Sequence, residues 1–170
     1  MQPKPSDLKK HIPNLITLLN LLCGSIAVIF VMNDNMVIAA YFVFLGIFFD
    51  FFDGLLARKL NVQSELGLQL DSLADVVTSG LVPGLIMYKL LGLASGSTSV
   101  IESATWYSGI EWLDMKIQIL PLLGLLITLA AAYRLANFNI STEQKYSFIG
   151  LPTTANALLI ISVSYTHLTL

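Results

Sequence analysis

Long apolar runs separated by short polar connections dominate this 170-residue chain. A helix that crosses a bilayer needs about 20 apolar residues, and only 12% of this chain is charged, against roughly 25% in a soluble domain. The pattern therefore predicts an all-α, polytopic transmembrane helical bundle with five visible spans. The predicted spans are Ile12–Met32, Met36–Leu56, Gly67–Leu93, Ile117–Phe138 and a segment from Gly150 onwards.

The two ends of the chain differ from the apolar middle. Residues 1–11 form a polar N-terminal segment, and residues 12–164 form the predicted membrane domain. No small-residue cleavage site follows the first run, so we expect an uncleaved span rather than a signal peptide. Residues 165–170 form an atypical, less apolar tail. We therefore expect a chain cut short from six or more helices, or one whose last residues are foreign.

The basic residues predict the orientation of the bundle, because cytoplasmic loops carry an excess of Lys and Arg. With a cytoplasmic N-terminus, two of the nine basic residues, Lys89 and Lys116, fall on the far side. The other seven fall on the cytoplasmic side: Lys4, Lys9, Lys10, Arg58, Lys59, Arg134 and Lys145. We expect a multi-pass protein of the cytoplasmic (inner) membrane with its active site on the cytoplasmic side.

Four aspartates interrupt the second and third apolar runs: Asp50, Asp53, Asp71 and Asp75. Ionisable groups inside membrane segments are costly and usually mark a functional site. The first pair has spacing i, i+3 and the second i, i+4, so each pair lies on one face of its helix. Two helices joined by a short turn would bring the pairs together, and bound divalent cations would neutralise the repulsion. The alternatives are a structural ion-pair network and a carboxylate-based cation or proton carrier.

The full spacing is D-x2-D-G-x2-A-R-x8-G-x3-D-x3-D, with Gly54, Ala57, Arg58 and Gly67 at the positions between the aspartates. This pattern resembles the signature of the CDP-alcohol phosphotransferases, membrane enzymes that transfer a phosphatidyl or similar group from a CDP-linked donor to an alcohol. The resemblance implies divalent cations, Mg²⁺ or Mn²⁺ and two in number, bound by carboxylate oxygens.

The resemblance also implies roles for individual residues. Asp50, Asp53 and Asp71 would be metal ligands, and Asp75 would be both a metal ligand and the catalytic general base. Gly54, Arg58 and Ser64 match positions that contact the CDP group in relatives. Ala57 lacks bulk on the same helix face, which would let a nucleotide lie close to the backbone.

Three further patches resemble the bacterial phosphatidylserine synthases within that family. They are Pro13-Asn14 with Thr17, Asn20 and Gly24; the run Arg134 to Asn139, with Asn137 where a second arginine is usual; and the run Phe148 to Pro152. The resemblance implies phosphatidyl transfer from CDP-diacylglycerol to L-serine by a homodimer in the lipid bilayer, with no nucleic-acid partner. A sibling enzyme that uses glycerol 3-phosphate or an inositol phosphate is the alternative, but a phosphorylated acceptor needs extra cations, for which only Arg134 and Lys145 are candidates.

Three of these residues could instead have purely structural roles. Asn14 and Thr17 would bind the CDP donor, or would serve as ordinary helix caps and interhelical hydrogen-bonding residues. Arg134 would bind a phosphate or the serine carboxylate, or would anchor its helix on the cytoplasmic side.

Overall fold

The computed structural model describes residues 5–60, 62, 64–94, 110–112, 115–117, 119–140 and 152–168. The predicted cation Lys145 and the patch from Phe148 to Leu151 lie outside the described residues. The first two helices are α1 (Pro5–Met32) and α2 (Met36–Lys59). Helix α1 thus begins seven residues before the predicted span.

The turn between α1 and α2 explains why two long helices fold back here. Asp34 has a φ of 59°, in the left-handed region that Asp and Asn tolerate better than most residues. Asn35 then caps α2, because its side chain accepts a hydrogen bond from the backbone N–H of Ile38 at 3.4 Å. Lys89 donates to Asp34 at 2.5 Å and to the Met32 carbonyl at 2.9 Å. The turn is therefore tied to the end of the third span.

The third span runs continuously from Glu65 to Ala94. It consists of α3 (Glu65–Asp75), a π-helical segment (Val76–Leu81) and α4 (Val82–Ala94). Pro83 has no N–H and its ring crowds the preceding turn of an α-helix, and a wider π turn accommodates it. The π-helical segment thus lies immediately before the turn that contains Pro83 and Gly84.

The rest of the described chain is helical except for one small hairpin. Strands β1 (Ile110–Trp112) and β2 (Met115–Ile117) pair antiparallel. The helices that follow are α5 (Ile119–Leu122), a 3₁₀ turn (Leu123–Leu125), α6 (Leu126–Ile140) and α7 (Thr153–Leu168). The all-α class is confirmed. The boundary at residue 165 remains a prediction, and α7 runs past it to Leu168.

Within the described residues, four helices are long and apolar enough to cross a membrane: His11–Met32, Met36–Lys59, Glu65–Ala94 and Ile119–Asn139. The segment Thr153–Ser164 is a shorter apolar helix. Large apolar side chains such as Tyr41, Phe51 and Leu129 point outwards and are 70%, 62% and 65% exposed. Such a surface suits lipid rather than water. The predicted polytopic membrane architecture is confirmed for the four longer helices.

The interior is made largely of small side chains, which lets the helix backbones approach closely. Ala27, Val31, Ala39 and Val43 pack with Val82, Ile86 and two isoleucines of α7 in one buried cluster. On the other side of α4, the backbone of Gly124 lies against the turn at Met87 and Tyr88. A Cβ at Gly124 would lie 2.5 Å from the Tyr88 backbone nitrogen.

We expect Gly124→Ala to lower the free energy of unfolding by about 1–3 kcal/mol, because the new methyl group would force two helix backbones apart. Thermal unfolding of purified protein in detergent measures the effect. Gly54→Ala is the matched control, since Arg58 Nη2, at 3.6 Å, is the one atom of the described chain beyond the local helix backbone that a Cβ there would meet. Equal melting temperatures for the two variants would contradict the prediction.

Candidate active site

The four aspartates come together where α2 ends and α3 begins. Carboxylate oxygens of Asp50, Asp53 and Asp71 all lie within 4.8 Å of one another. Asp75 is close enough to interact electrostatically with each of these three. The predicted juxtaposition of the two pairs is therefore observed, and it follows from their helical spacing and from the short connection between α2 and α3.

The donor set of this cluster fits a divalent cation. Asp53 is buried, with 5% of its surface exposed, and Asp50 and Asp71 are half-buried. Carboxylate oxygens are the ligands that Mg²⁺ and related hard cations prefer, and a cation would offset the repulsion between acids held at this distance. The three carboxylates could therefore hold such an ion.

A cavity of about 510 Å³ adjoins the cluster. It is formed by α1, the end of α2, the connection and the start of α3. Every residue predicted to bind the CDP donor lines it, together with Asp53 and Asp71. The lining residues are Pro13, Asn14, Thr17, Asp53, Gly54, Ala57, Arg58, Val62, Ser64, Glu65, Gly67, Leu68 and Asp71.

Helix α1 closes one side of this cavity through polar side chains. The hydroxyl of Thr17 is within hydrogen-bonding distance of the Pro13 carbonyl at 3.1 Å, and it also donates to the Asp53 carboxylate. A Cβ at Gly67 would lie 3.0 Å from Asn14 Oδ1, so the glycine allows Asn14 to reach the backbone of α3. The interhelical role of Thr17 is thus observed, and contact with a donor remains a prediction for both side chains.

Ser64 forms the N-cap of α3. Its extended backbone precedes the helix, and its Oγ accepts a hydrogen bond from the Gly67 N–H at 3.0 Å. The first turn of α3 faces the cavity through Glu65, Gly67 and Leu68. The N-terminus of a helix presents free N–H groups and favours anionic ligands such as phosphate. Ser64 therefore has a structural role that the sequence pattern did not identify.

Arg58 lies at the C-terminal end of α2 and lines the cavity. Its Nε donates to the Gly54 carbonyl at 3.1 Å, which directs the guanidinium along the helix face occupied by Gly54 and Ala57. Apart from the local helix backbone, the described residues place only Arg58 Nη2 within 4 Å of a Cβ at Gly54. An exposed, fork-shaped cation beside an open surface is suited to binding phosphate oxygens.

We expect Arg58→Gln to raise the KM for the donor by about 10–100-fold, because a charge-assisted hydrogen bond to a phosphate is worth roughly 1.5–3 kcal/mol. Steady-state kinetics at varied donor concentration measures the change. Lys59→Gln removes the same charge from the next residue, which is exposed and not among the described residues that line the cavity. An equal rise in KM for both variants would indicate surface charge rather than a specific contact.

Arg134 lies on α6 and is not among the described residues that line the cavity. The same helix contacts α3 through Asn139, whose Nδ2 donates to Ser72 Oγ at 2.9 Å. Ser72 follows Asp71 in α3, so the last residue of the Arg134–Asn139 patch contacts the helix that carries Asp71 and Asp75. The acceptor-binding role of Arg134 remains a prediction.

The sequence patterns assigned no individual role to two buried polar residues. Asn20 is 0% exposed and Thr78 is 1% exposed, and they form a hydrogen bond between α1 and the π-helical segment. Asn20 belongs to the patch that begins at Pro13, which was the available signal. Thr78 carried no signal, because its partner lies 58 residues away.

Comparison with known proteins identifies several relatives with closely related names. A protein from Bacillus subtilis named CDP-diacylglycerol–serine O-phosphatidyltransferase is 32% identical over 161 residues, which cover 92% of this chain and 77% of the relative. A Helicobacter pylori protein of the same name is 34% identical over 88% of this chain. An archaetidylserine synthase from Methanothermobacter thermautotrophicus is 27% identical over 89% of it.

The chain spans just over half of the length of two of these relatives, 55% of the Helicobacter protein and 56% of the Methanothermobacter protein. No solved structure shows significant similarity to it. The family model described as CDP-alcohol phosphatidyltransferase matches residues 10–169, and that range contains all four aspartates and every described residue of the cavity wall. The chain therefore belongs to the CDP-alcohol phosphatidyltransferase family.

Proposed function

We propose that this protein transfers a phosphatidyl group from CDP-diacylglycerol to L-serine and so produces phosphatidylserine and CMP. One observation carries the proposal: a carboxylate cluster that could hold a divalent cation adjoins a cavity lined by all the predicted donor-binding residues. The names of the Bacillus and Helicobacter relatives support serine as the acceptor.

The cavity supports a nucleotide-linked donor. Its volume falls within the range of about 300–1,000 Å³ that is usual for small-molecule sites. Arg58 and the first turn of α3 supply positive potential for the pyrophosphate, while Gly54 and Ala57 leave room beside the helix. The exposed apolar surface of the helices would accommodate the acyl chains in the bilayer.

Asp50, Asp53 and Asp71 would hold the divalent cation, and we extend the proposal to two Mg²⁺ or Mn²⁺ ions with Asp75 as a ligand of the second. When bound, such ions neutralise pyrophosphate charge and polarise the phosphorus for attack. Thr17 supports this ligand set, because its hydrogen bond to Asp53 fixes the orientation of that carboxylate.

Asp75 is the proposed general base. It accepts the proton of the serine hydroxyl, and the serine oxygen forms a bond to the phosphorus next to the diacylglycerol. The bond between that phosphorus and the bridging oxygen of the pyrophosphate breaks, and CMP leaves with the negative charge. Arg58, which lines the cavity, would stabilise this charge.

Charge placement supports a cytoplasmic site in the inner membrane, with a cytoplasmic N-terminus. Arg58 and Lys59 lie at the end of α2 beside the cavity, whereas Lys89 binds Asp34 at the other end of the α1–α2 hairpin. Serine and CMP are water-soluble, so a site that opens on this side could exchange both. We also propose a homodimer, as the family resemblance implies.

CMP release by purified protein in detergent tests the proposal. The assay contains CDP-diacylglycerol and Mn²⁺ or Mg²⁺, with serine, glycerol 3-phosphate or an inositol phosphate supplied separately. We expect release with serine alone. CMP release only with a phosphorylated acceptor would show that serine is not the substrate. Cation flux into vesicles without CMP release would favour a carrier.

A further inference from the structure

Asn20 has two chemically different neighbours in the interior of the bundle. Its side chain is fully buried in α1, and its Oδ1 accepts a hydrogen bond from Thr78 Oγ1 at 2.9 Å. Thr78 lies in the π-helical segment that begins directly after Asp75. Because the hydroxyl donor occupies the oxygen end of the amide, the nitrogen end must face another group.

The proposed general base, Asp75, is a neighbour of the same side chain. Asn20 Nδ2 is buried and completes no hydrogen bond with the described residues, and the Asn20 side chain is a polar neighbour of Asp75. A buried donor without a partner is costly and requires an explanation. Hydrogen bonds between catalytic groups are often long in the absence of substrate and tighten in the reacting complex. The amide oxygen thus accepts from the Thr78 hydroxyl, and the amide N–H₂ is the donor that an Asp75 carboxylate would accept from.

Close packing holds Asn20 in this orientation. A Cβ at Gly46 of α2 would lie 2.9 Å from Asn20 Oδ1 and 2.8 Å from Thr78 Cγ2. A Cβ at Gly24, one turn along α1, would lie 3.2 Å from the Thr78 backbone nitrogen. Two glycines thus bring α1, α2 and the π-helical segment together around one amide, which leaves the side chain little freedom to rotate.

We propose that Asn20 is a positioning residue for Asp75: anchored by Thr78, its amide holds the carboxylate in the orientation needed to accept the proton of the acceptor alcohol. The inference rests on the proposed function, since it concerns the base of that reaction. It assigns a role to α1 in the chemical step and not only in forming the cavity wall. It also assigns a role to the π-helical segment, because that segment contains Thr78, which holds the Asn20 side chain.

The test separates kcat from KM. We expect Asn20→Leu, which keeps the size of the side chain but loses both polar ends, to lower kcat for CMP release by about 10²-fold, a general base typically contributing about 10²–10⁴-fold. Thr78→Val, which removes only the anchor, should lower kcat by about 3–10-fold. For both variants the KM for the donor should stay within twofold of the wild-type value. The affinity for the Mn²⁺ ion that Asp50, Asp53 and Asp71 would hold, measured by electron paramagnetic resonance, should also stay within twofold.

Ser79→Ala is the matched control. Ser79 lies next to Thr78 in the π-helical segment, is 1% exposed, and its Oγ has no hydrogen-bond partner among the described residues. We expect its kcat to stay within twofold of the wild-type value. If Ser79→Ala lowered kcat as much as Thr78→Val, or if Asn20→Leu kept full kcat per folded molecule, the inference would be overturned. A large loss of affinity for the Mn²⁺ ion held by Asp50, Asp53 and Asp71 in Asn20→Leu would also overturn it, because Asn20 would then serve those ligands rather than Asp75.

Gly46→Ala provides a second test that removes no polar group. Its methyl group would displace Asn20 and Thr78, so kcat should fall while the KM for the donor is kept; an unchanged kcat would count against the inference. CMP release by the wild-type protein with each acceptor tests the proposed function independently of the variants. If it released CMP only with a phosphorylated acceptor, serine would be wrong as the substrate, and the same comparison of variants with that acceptor would still decide the role of Asn20.

Discussion

Asp75→Asn is expected to lower kcat for CMP release by about 10²–10⁴-fold, the usual contribution of general acid–base catalysis. The amide has almost the shape of the carboxylate but cannot take a proton from the serine hydroxyl. Asp75 is not among the described residues that line the donor cavity. Binding of CDP-diacylglycerol should therefore stay within about twofold, which places the loss in the chemical step.

Single-turnover CMP release and equilibrium binding of the donor, both on purified protein, measure the two quantities. Asp34→Asn is the matched control, because its side chain is 83% exposed at the opposite end of the α1–α2 hairpin, where it binds Lys89. This variant should keep wild-type kcat. Full activity of Asp75→Asn would exclude Asp75 as the base, and loss of donor binding would show that it acts mainly in binding.

Removal of divalent cations is expected to abolish turnover, and Asp71→Asn should reproduce much of this loss by weakening metal binding. Asp71 contributes one of the three carboxylates that lie within 4.8 Å of one another. Replacement with an amide removes a charged oxygen ligand. Loss of an outer-shell partner already costs about 10–100-fold in metal affinity, so loss of a direct ligand should cost more than about 100-fold.

Titration with Mn²⁺, followed by electron paramagnetic resonance, measures this affinity and also the number of ions bound. Dialysis against a chelator followed by re-addition of Mn²⁺ or Mg²⁺ should remove and restore CMP release in the wild-type protein. Asp34→Asn again serves as the control and should bind Mn²⁺ like the wild type. Equal affinity in Asp71→Asn and Asp34→Asn would contradict the assignment of Asp71 as a ligand.

The amino-acid sequence by itself determined the helices and the pairing of the aspartates. Apolar runs of span length can bury their backbone in lipid only as helices, so the four longer helices could be predicted from length and composition. The spacings of Asp50 with Asp53, and of Asp71 with Asp75, are local consequences of 3.6 residues per turn. A five-residue connection between α2 and α3 then restricts the two pairs to neighbouring positions, because the end of α2 and the start of α3 must lie close together.

Only the tertiary structure decided which residues surround that cluster. Thr17 and Asp53 are 36 residues apart, and Asn20 and Thr78 are 58 residues apart. Such contacts depend on how the helices pack, which no local period encodes. The cap formed by Ser64 needed the backbone geometry at the start of α3. The π-helical segment likewise needed the packing around Pro83, because a proline in the sequence is compatible with a kink, a break or a wider turn.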